Sequence, residues 1–129
     1  MHIGISVRVT LPFDQAVERT RAALKEQGFG VLTEIDVQQT LREKLGEETE
    51  RYLIHGACNP SLAHRALDVD RRIGLLLPCN VVVREGAQAT IVEALDPEIM
   101  VRATGEPGFE PVATEAAARL RKALDTIAS

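Results

Sequence analysis

The chain has 129 residues, with 19 acidic and 15 basic side chains and a formal charge of −4; 45% of residues are hydrophobic and 26% charged. That is the profile of one soluble globular domain rather than a disordered chain, and no run of 18 apolar residues exists to cross a membrane. The acidic balance, 3% aromatic content and lack of tryptophan argue against a nucleic-acid partner, which needs a basic field or a stacking platform.

Ile3, Ile5, Val7 and Val9 alternate with Gly4, Ser6 and Arg8, the pattern of a half-buried strand. The opening residues Met1 to Val7 are too short and polar for a secretory signal, so a cytoplasmic location is expected. Thr10 is placed to cap a helix over Asp14 to Gln27, with Pro12 tolerated at its start. Phe13, Val17, Thr20 and Leu24 recur on one side, and Gly28 ends it. Phe29 to Ile35 reads as a second strand. Asp36 then caps a short helix, with Gln39 as the reciprocal partner, Leu41 and Leu45 as its apolar pair, and Gly46 as its stop. Arg51 to Ala57 is a third strand. Asn59–Pro60 opens a third helix whose buried side carries Leu62, Ala63, Ala66 and Leu67.

Ile73 to Arg84 is apolar on both parities and reads as a fourth strand, bent or bulged at Pro78. Cover on both faces is implied. In a domain this small a second subunit is the simplest cover, so a homodimer through an apolar sheet face is expected. Glu85–Gly86 turns the chain into an antiparallel fifth strand around Ala89 to Ala94. Asp96–Pro97 caps a brief turn or helix through Met100, and Gly105 to Gly108 is loop. A terminal helix follows from Glu110, lined by Val112, Ala113, Ala116, Ala117, Leu120, Leu124 and Ile127. The order β-α-β-α-β-α-β-β-α predicts a single two-layer α+β domain over residues 1–129, with helices on one face of a mostly antiparallel sheet. No glycine-rich phosphate turn follows the first strand, which separates it from doubly wound folds.

Two segments could carry chemistry. In His55–Gly56–Ala57–Cys58–Asn59–Pro60, Cys58 precedes a helix N-terminus, a setting that favours thiolate. A cysteine there can equally serve as a small buried hydrophobe, and Asn59 explains itself as a cap. In Leu76–Leu77–Pro78–Cys79–Asn80–Val81–Val82, Asn80 needs a hydrogen-bond partner if buried. The pairs Cys58–Asn59 and Cys79–Asn80 would either share one sheet end as a ligand-binding or redox site, or be unrelated strand irregularities. A structural disulfide is not expected in a reducing compartment. The 21-residue spacing matches no zinc pattern, and a metal would need His55 or His64 as well. Glu34 and Asp36 share a parity at the end of the second strand and could act as acid and base or hold a cation, although Asp36 already has a capping role. His2 carries no expectation. There is no Ser–His–Asp order, P-loop, GxGxxG or HExxH, and no cofactor follows from the residues. Three readings stand: a site for a small ligand or metal at the two Cys–Asn motifs, an enzyme with Cys58 as nucleophile and Glu34, Asp36 or His55 as proton acceptor, and a structural or interaction protein.

Gly28–Phe29–Gly30–Val31–Leu32–Thr33–Glu34–Ile35–Asp36–Val37, Thr40–Leu41, Lys44–Leu45–Gly46, Tyr52, Gly56–Ala57–Cys58–Asn59–Pro60, Ala63, Ala66–Leu67, Ile73–Gly74–Leu75–Leu76–Leu77–Pro78–Cys79–Asn80–Val81, Asp96–Pro97 and Met100 together resemble the DUF302 family. The resemblance covers almost the whole chain and holds at both cysteine–asparagine motifs. It implies a bacterial or archaeal protein of uncharacterised function, a TATA-box-binding-protein-like α+β layout and a dimer. It implies no reaction, and likeness of layout does not transfer DNA binding.

Overall fold

The chain runs β1 (Gly4–Val9), α1 (Phe13–Glu26), β2 (Gly30–Asp36), α2 (Val37–Leu45), β3 (Tyr52–Cys58), α3 (Pro60–Val69), β4 (Cys79–Glu85), β5 (Thr90–Leu95), α4 (Ile99–Thr104) and α5 (Glu110–Ala128). Short 3-10 segments lie at Arg71–Leu76 and Pro107–Phe109. These elements come from a computed structural model that describes residues 3–128. The strands form one sheet in the order β1-β5-β4-β3-β2, and every neighbouring pair is antiparallel. The architecture is α+β, an antiparallel sheet flanked by helices. β1 and β2 are opposite edges, so the connection through α1 crosses the sheet.

One face carries the core. Val7, Val92 and Val83 are register partners across β1, β5 and β4, and Ala94 and Val81 are partners in the next row. Against this face pack α1, through Phe13, Ala16, Val17, Thr20, Ala23 and Leu24, and α5, through Val112, Ala113, Ala116, Leu120 and Leu124. The alanines let the helices approach the sheet closely, where longer side chains would hold them off. The opposite face is more open. There Ser6 donates to Glu93 at 2.7 Å and Arg84 donates to Glu93 at 3.0 Å, contacts that hold the Glu93 carboxyl below its ordinary range against the cost of partial burial. Beside them Ile35, Ile54 and Val82 form one cross-strand row, with Ile35 51% exposed.

Several local expectations change. Thr10 does not cap α1; Pro12 occupies the N-cap position with no side-chain bond, and its carbonyl accepts from Ala16 N–H at 3.0 Å. Asp36 does cap α2, accepting from Gln39 N–H at 2.9 Å, but the Gln39 side chain turns away to Glu43, so the reciprocal bond is missing. Leu45 is exposed rather than packed. The largest change is the fourth strand, which begins at Cys79 and not at Ile73. Asp70 accepts from Arg72 N–H at 2.9 Å, and Gly74 C=O accepts from Leu77 N–H at 3.2 Å, so this backbone is satisfied locally and not by a ladder. Arg72 holds the Asp70 carboxyl down at about 2. The Leu77–Pro78 peptide that follows is cis. The apolarity on both parities thus has two sources. Ile73 enters the core from the 3-10 segment, while β4 proper alternates buried Val81 and Val83 with half-buried Val82.

Candidate functional site

β3 ends at Cys58, where Asn59 takes over as cap of α3: its Oδ1 accepts from Leu62 N–H at 3.2 Å, and Pro60 fills the first helical position. The β3–β4 register sets Ala57 opposite Cys79, so the thiol of β4 arrives beside the end of β3. Cys58, Asn59 and Cys79 line one cavity of about 40 Å³, enclosed mainly by apolar groups that include Phe29, Leu62, Ala66, Leu76 and Met100. Both cysteines are free and partly buried. Burial, and then the neighbouring Cys58, push the Cys79 thiol up to about 11, so it stays protonated at neutral pH.

Asn59 spends its side chain on structure. Besides the cap, its Nδ2 donates to Gln27 C=O at 3.4 Å, a carbonyl that also accepts from Arg119 at 3.2 Å. Gly28 lies against it with φ +84°, and a Cβ there would sit 2.9 Å from Asn59 Nδ2. Asn80 does not join the cavity. It is exposed, and its register partner is Gly56. The cavity therefore gathers Cys58, Asn59 and Cys79, and Asn80 alone of the two Cys–Asn pairs stands outside it.

The remaining sequence candidates gather elsewhere. His55 is fully buried. Its Nδ1 lies 3.3 Å from Val81 C=O and its Nε2 3.2 Å from Glu34 Oε2, and Arg21 pairs with that same Glu34 oxygen. Burial and then Arg21 lower the His55 pKa, opposed by the Val81 carbonyl. Glu34 and Asp36 open onto a cleft shared with Asp14, Glu18, Arg21 and Arg51. Both nitrogens of His55 thus face groups other than the thiols, and no Cys58–His55 nucleophile–base contact forms. His64 is exposed, 3.7 Å from Asp68, and does not line the cysteine cavity. His2 lies outside the described residues. Among the described residues no three His, Cys, Asp or Glu side chains are arranged to hold a metal ion. The sequence holds no sign of Arg21, which nothing distinguishes from the other charges of α1, or of Met100 as a cavity wall, whereas Leu76 and Leu77 belong to the second cysteine segment. The apolar run before Pro78 was the signal for the leucines.

A family comparison identifies the lineage: the family described as "Domain of unknown function DUF302" matches residues 5–127. The chain belongs to the DUF302 family. Among solved structures, this DUF302 chain is similar to "Crystal structure of uncharacterized conserved protein DUF302 from Bacillus stearothermophilus", with a TM-score of 0.92, 29% identity and 98% of each chain covered. No curated protein matches. Neither DUF302 description names a ligand or a reaction.

Proposed function

We propose that this DUF302 protein binds a compact ligand in the cavity shared by Cys58 and Cys79, with an apolar body against the leucine and alanine walls and a thiol-directed end at the sulfurs. One observation carries the reading: two cysteines 21 residues apart line the same cavity. A volume near 40 Å³ suits only a few heavy atoms, since one water needs roughly 10–15 Å³ of the same kind of space. Cys79, held as a thiol, suits a soft contact, which leaves Cys58 for covalent or coordinative capture. Among the described residues no carboxylate or imidazole lines this cavity, which favours binding over a Cys58-centred acid–base reaction. A reducing, cytoplasmic setting fits two free thiols.

The test is labelling of the native, reduced protein with methyl methanethiosulfonate, followed by mass spectrometry. The small –SCH3 group should enter, attach first at Cys58, and be slowed several-fold by the filling substitution Ala66→Leu. Bulky N-phenylmaleimide should react far more slowly than the small reagent. The reading fails if Ala66→Leu has no effect, or if both thiols react at unfolded-chain rates with either reagent.

A second observation favours self-association. The half-exposed row Ile35–Ile54–Val82 lies on the open sheet face. With Arg84 neutralised by Glu93 there and a net charge of −4, the face suits a second copy of the chain better than DNA. Sedimentation should report a dimer that Ile35→Lys converts to monomer; a wild-type monomer at all concentrations would reject it.

A further inference from the structure

The most unusual polar group in the molecule is His55 Nε2. It is buried, and although Glu34 Oε2 lies 3.2 Å away, it has no hydrogen-bond partner. The tautomer explains why. Val81 C=O can only accept, so the Nδ1 that faces it at 3.3 Å must carry the proton. In neutral imidazole the other nitrogen is then a lone-pair acceptor. What it faces is a carboxylate oxygen, also an acceptor. Two acceptors in contact are unfavourable when one of them, here the His55 nitrogen, is buried from water, and Glu34 is held there by Arg21 at the same oxygen.

We propose that Glu34 and His55 form a proton-operated latch between β2 and β3, in which a proton taken up at Nε2 converts this acceptor–acceptor contact into a charge-assisted hydrogen bond and draws Glu34 from Arg21 onto His55. The proton comes from solvent through the cleft of about 470 Å³ that Glu34 lines. Arg21 then faces the cleft with a weakened partner. The groups that set the response are few. On β2 they are Glu34, which attracts the imidazolium, and Asp36 farther along the cleft; on α1 they are Arg21, which repels it, with Asp14 and Glu18 beyond; Arg51, which precedes β3, is already paired to Asp14 at 2.8 Å. β4 contributes only the Val81 carbonyl at this ring, and the buried residues of α5 are all apolar. Burial and Arg21 keep the neutral form dominant near neutrality, so the latch closes on acidification.

The test is 15N NMR of the imidazole nitrogens in the full chain from about pH 4 to 8, the range in which histidine charge changes. At the upper end His55 should show protonated Nδ1 and bare Nε2. It should titrate below the ordinary 6.5. Glu34→Gln should move that titration further down by about one pH unit, and Arg21→Gln should move it up by a similar amount. Both sites are partly exposed, so neither substitution removes core packing. Protection of the β2 amides, taken relative to the intrinsic exchange rate at each pH, should rise on acidification in the parent and not in Glu34→Gln. An Nε2–H tautomer, a titration indifferent to Glu34→Gln, or β2 protection independent of pH would each overturn the latch.

Discussion

Cys79 sits directly across the β3–β4 ladder from Ala57, one residue short of Cys58, and this register alone brings two thiols from distant motifs to one cavity. Their chemistry is unequal. With the Cys79 thiol pushed up to about 11 from 9.0, its thiolate fraction near neutral pH is about 100-fold below that of an unperturbed cysteine. Iodoacetamide should therefore modify Cys79 in the native Cys58→Ser protein, which keeps burial but loses the Cys58 contribution, up to about two orders of magnitude more slowly than in urea, and its rate should keep rising above pH 9. The linkage sign agrees: the raised pKa contributes stability that is complete below pH 9 and is lost as pH rises through 11. A native rate that levels off near pH 9 would show that burial does not govern this thiol.

Asn59 and Gly28 form a second coupled pair. Asn59→Ala removes the α3 cap and the bond to Gln27, and should cost about 1–2 kcal/mol in urea denaturation. Asn59→Asp keeps the cap but cannot donate to Gln27, so it should fall between Asn59→Ala and the parent. Gly28→Ala meets both a left-handed φ of +84° and the Asn59 amide at 2.9 Å, and should cost at least about 1 kcal/mol. Combined with Asn59→Ala its penalty should shrink, because the steric part disappears while the backbone part remains.

Gly56 offers a sharper steric test. A Cβ there would lie 2.3 Å from Thr33 Oγ1 and 3.0 Å from the Pro78 ring. Gly56→Ala should destabilise by about 1–3 kcal/mol, and Thr33→Ala should recover part of the loss in the double variant. Strict additivity of the two single effects would show that Thr33 is not the obstacle.

Much of this arrangement was legible in the sequence, for identifiable reasons. The strand–helix order, the Asp36 and Asn59 caps and the stop at Gly46 follow from local hydrogen-bonding and backbone rules, which act within three or four residues. The 3-10 segment at Arg71–Leu76 was not legible, because its apolar residues imitate a buried strand and only the Asp70 cap distinguishes the two. The site divided along the same line. That Cys58 and Cys79 could converge was readable as a possibility from two similar motifs, but their meeting depends on strand register. That His55 faces Glu34, while Asn80 stands apart, depends on which side of β3 and β4 each residue faces relative to the helices. The Arg21 contact to Glu34 joins α1 to β2 across 13 residues and left no periodic trace.

The acid stability profile separates the two carboxylate-linked networks. Burial and Arg21 hold the folded pKa of His55 below the ordinary 6.5, so the unfolded chain binds its proton first and stability falls as pH drops from 6.5 toward the folded value. Glu93 has a folded pKa below 4.5; its contribution is present above 4.5 and is lost only as pH falls through the lower folded value. Unfolding free energy measured in urea at successive pH values should therefore decline in two stages. Glu93→Gln should flatten the more acidic stage and leave the first intact. Arg21→Gln should weaken the first stage, because removing the repelling cation moves the folded pKa of His55 back toward 6.5. A single decline confined below 4.5 would mean that His55 does not report on folding, and that its burial among apolar neighbours does not control its proton.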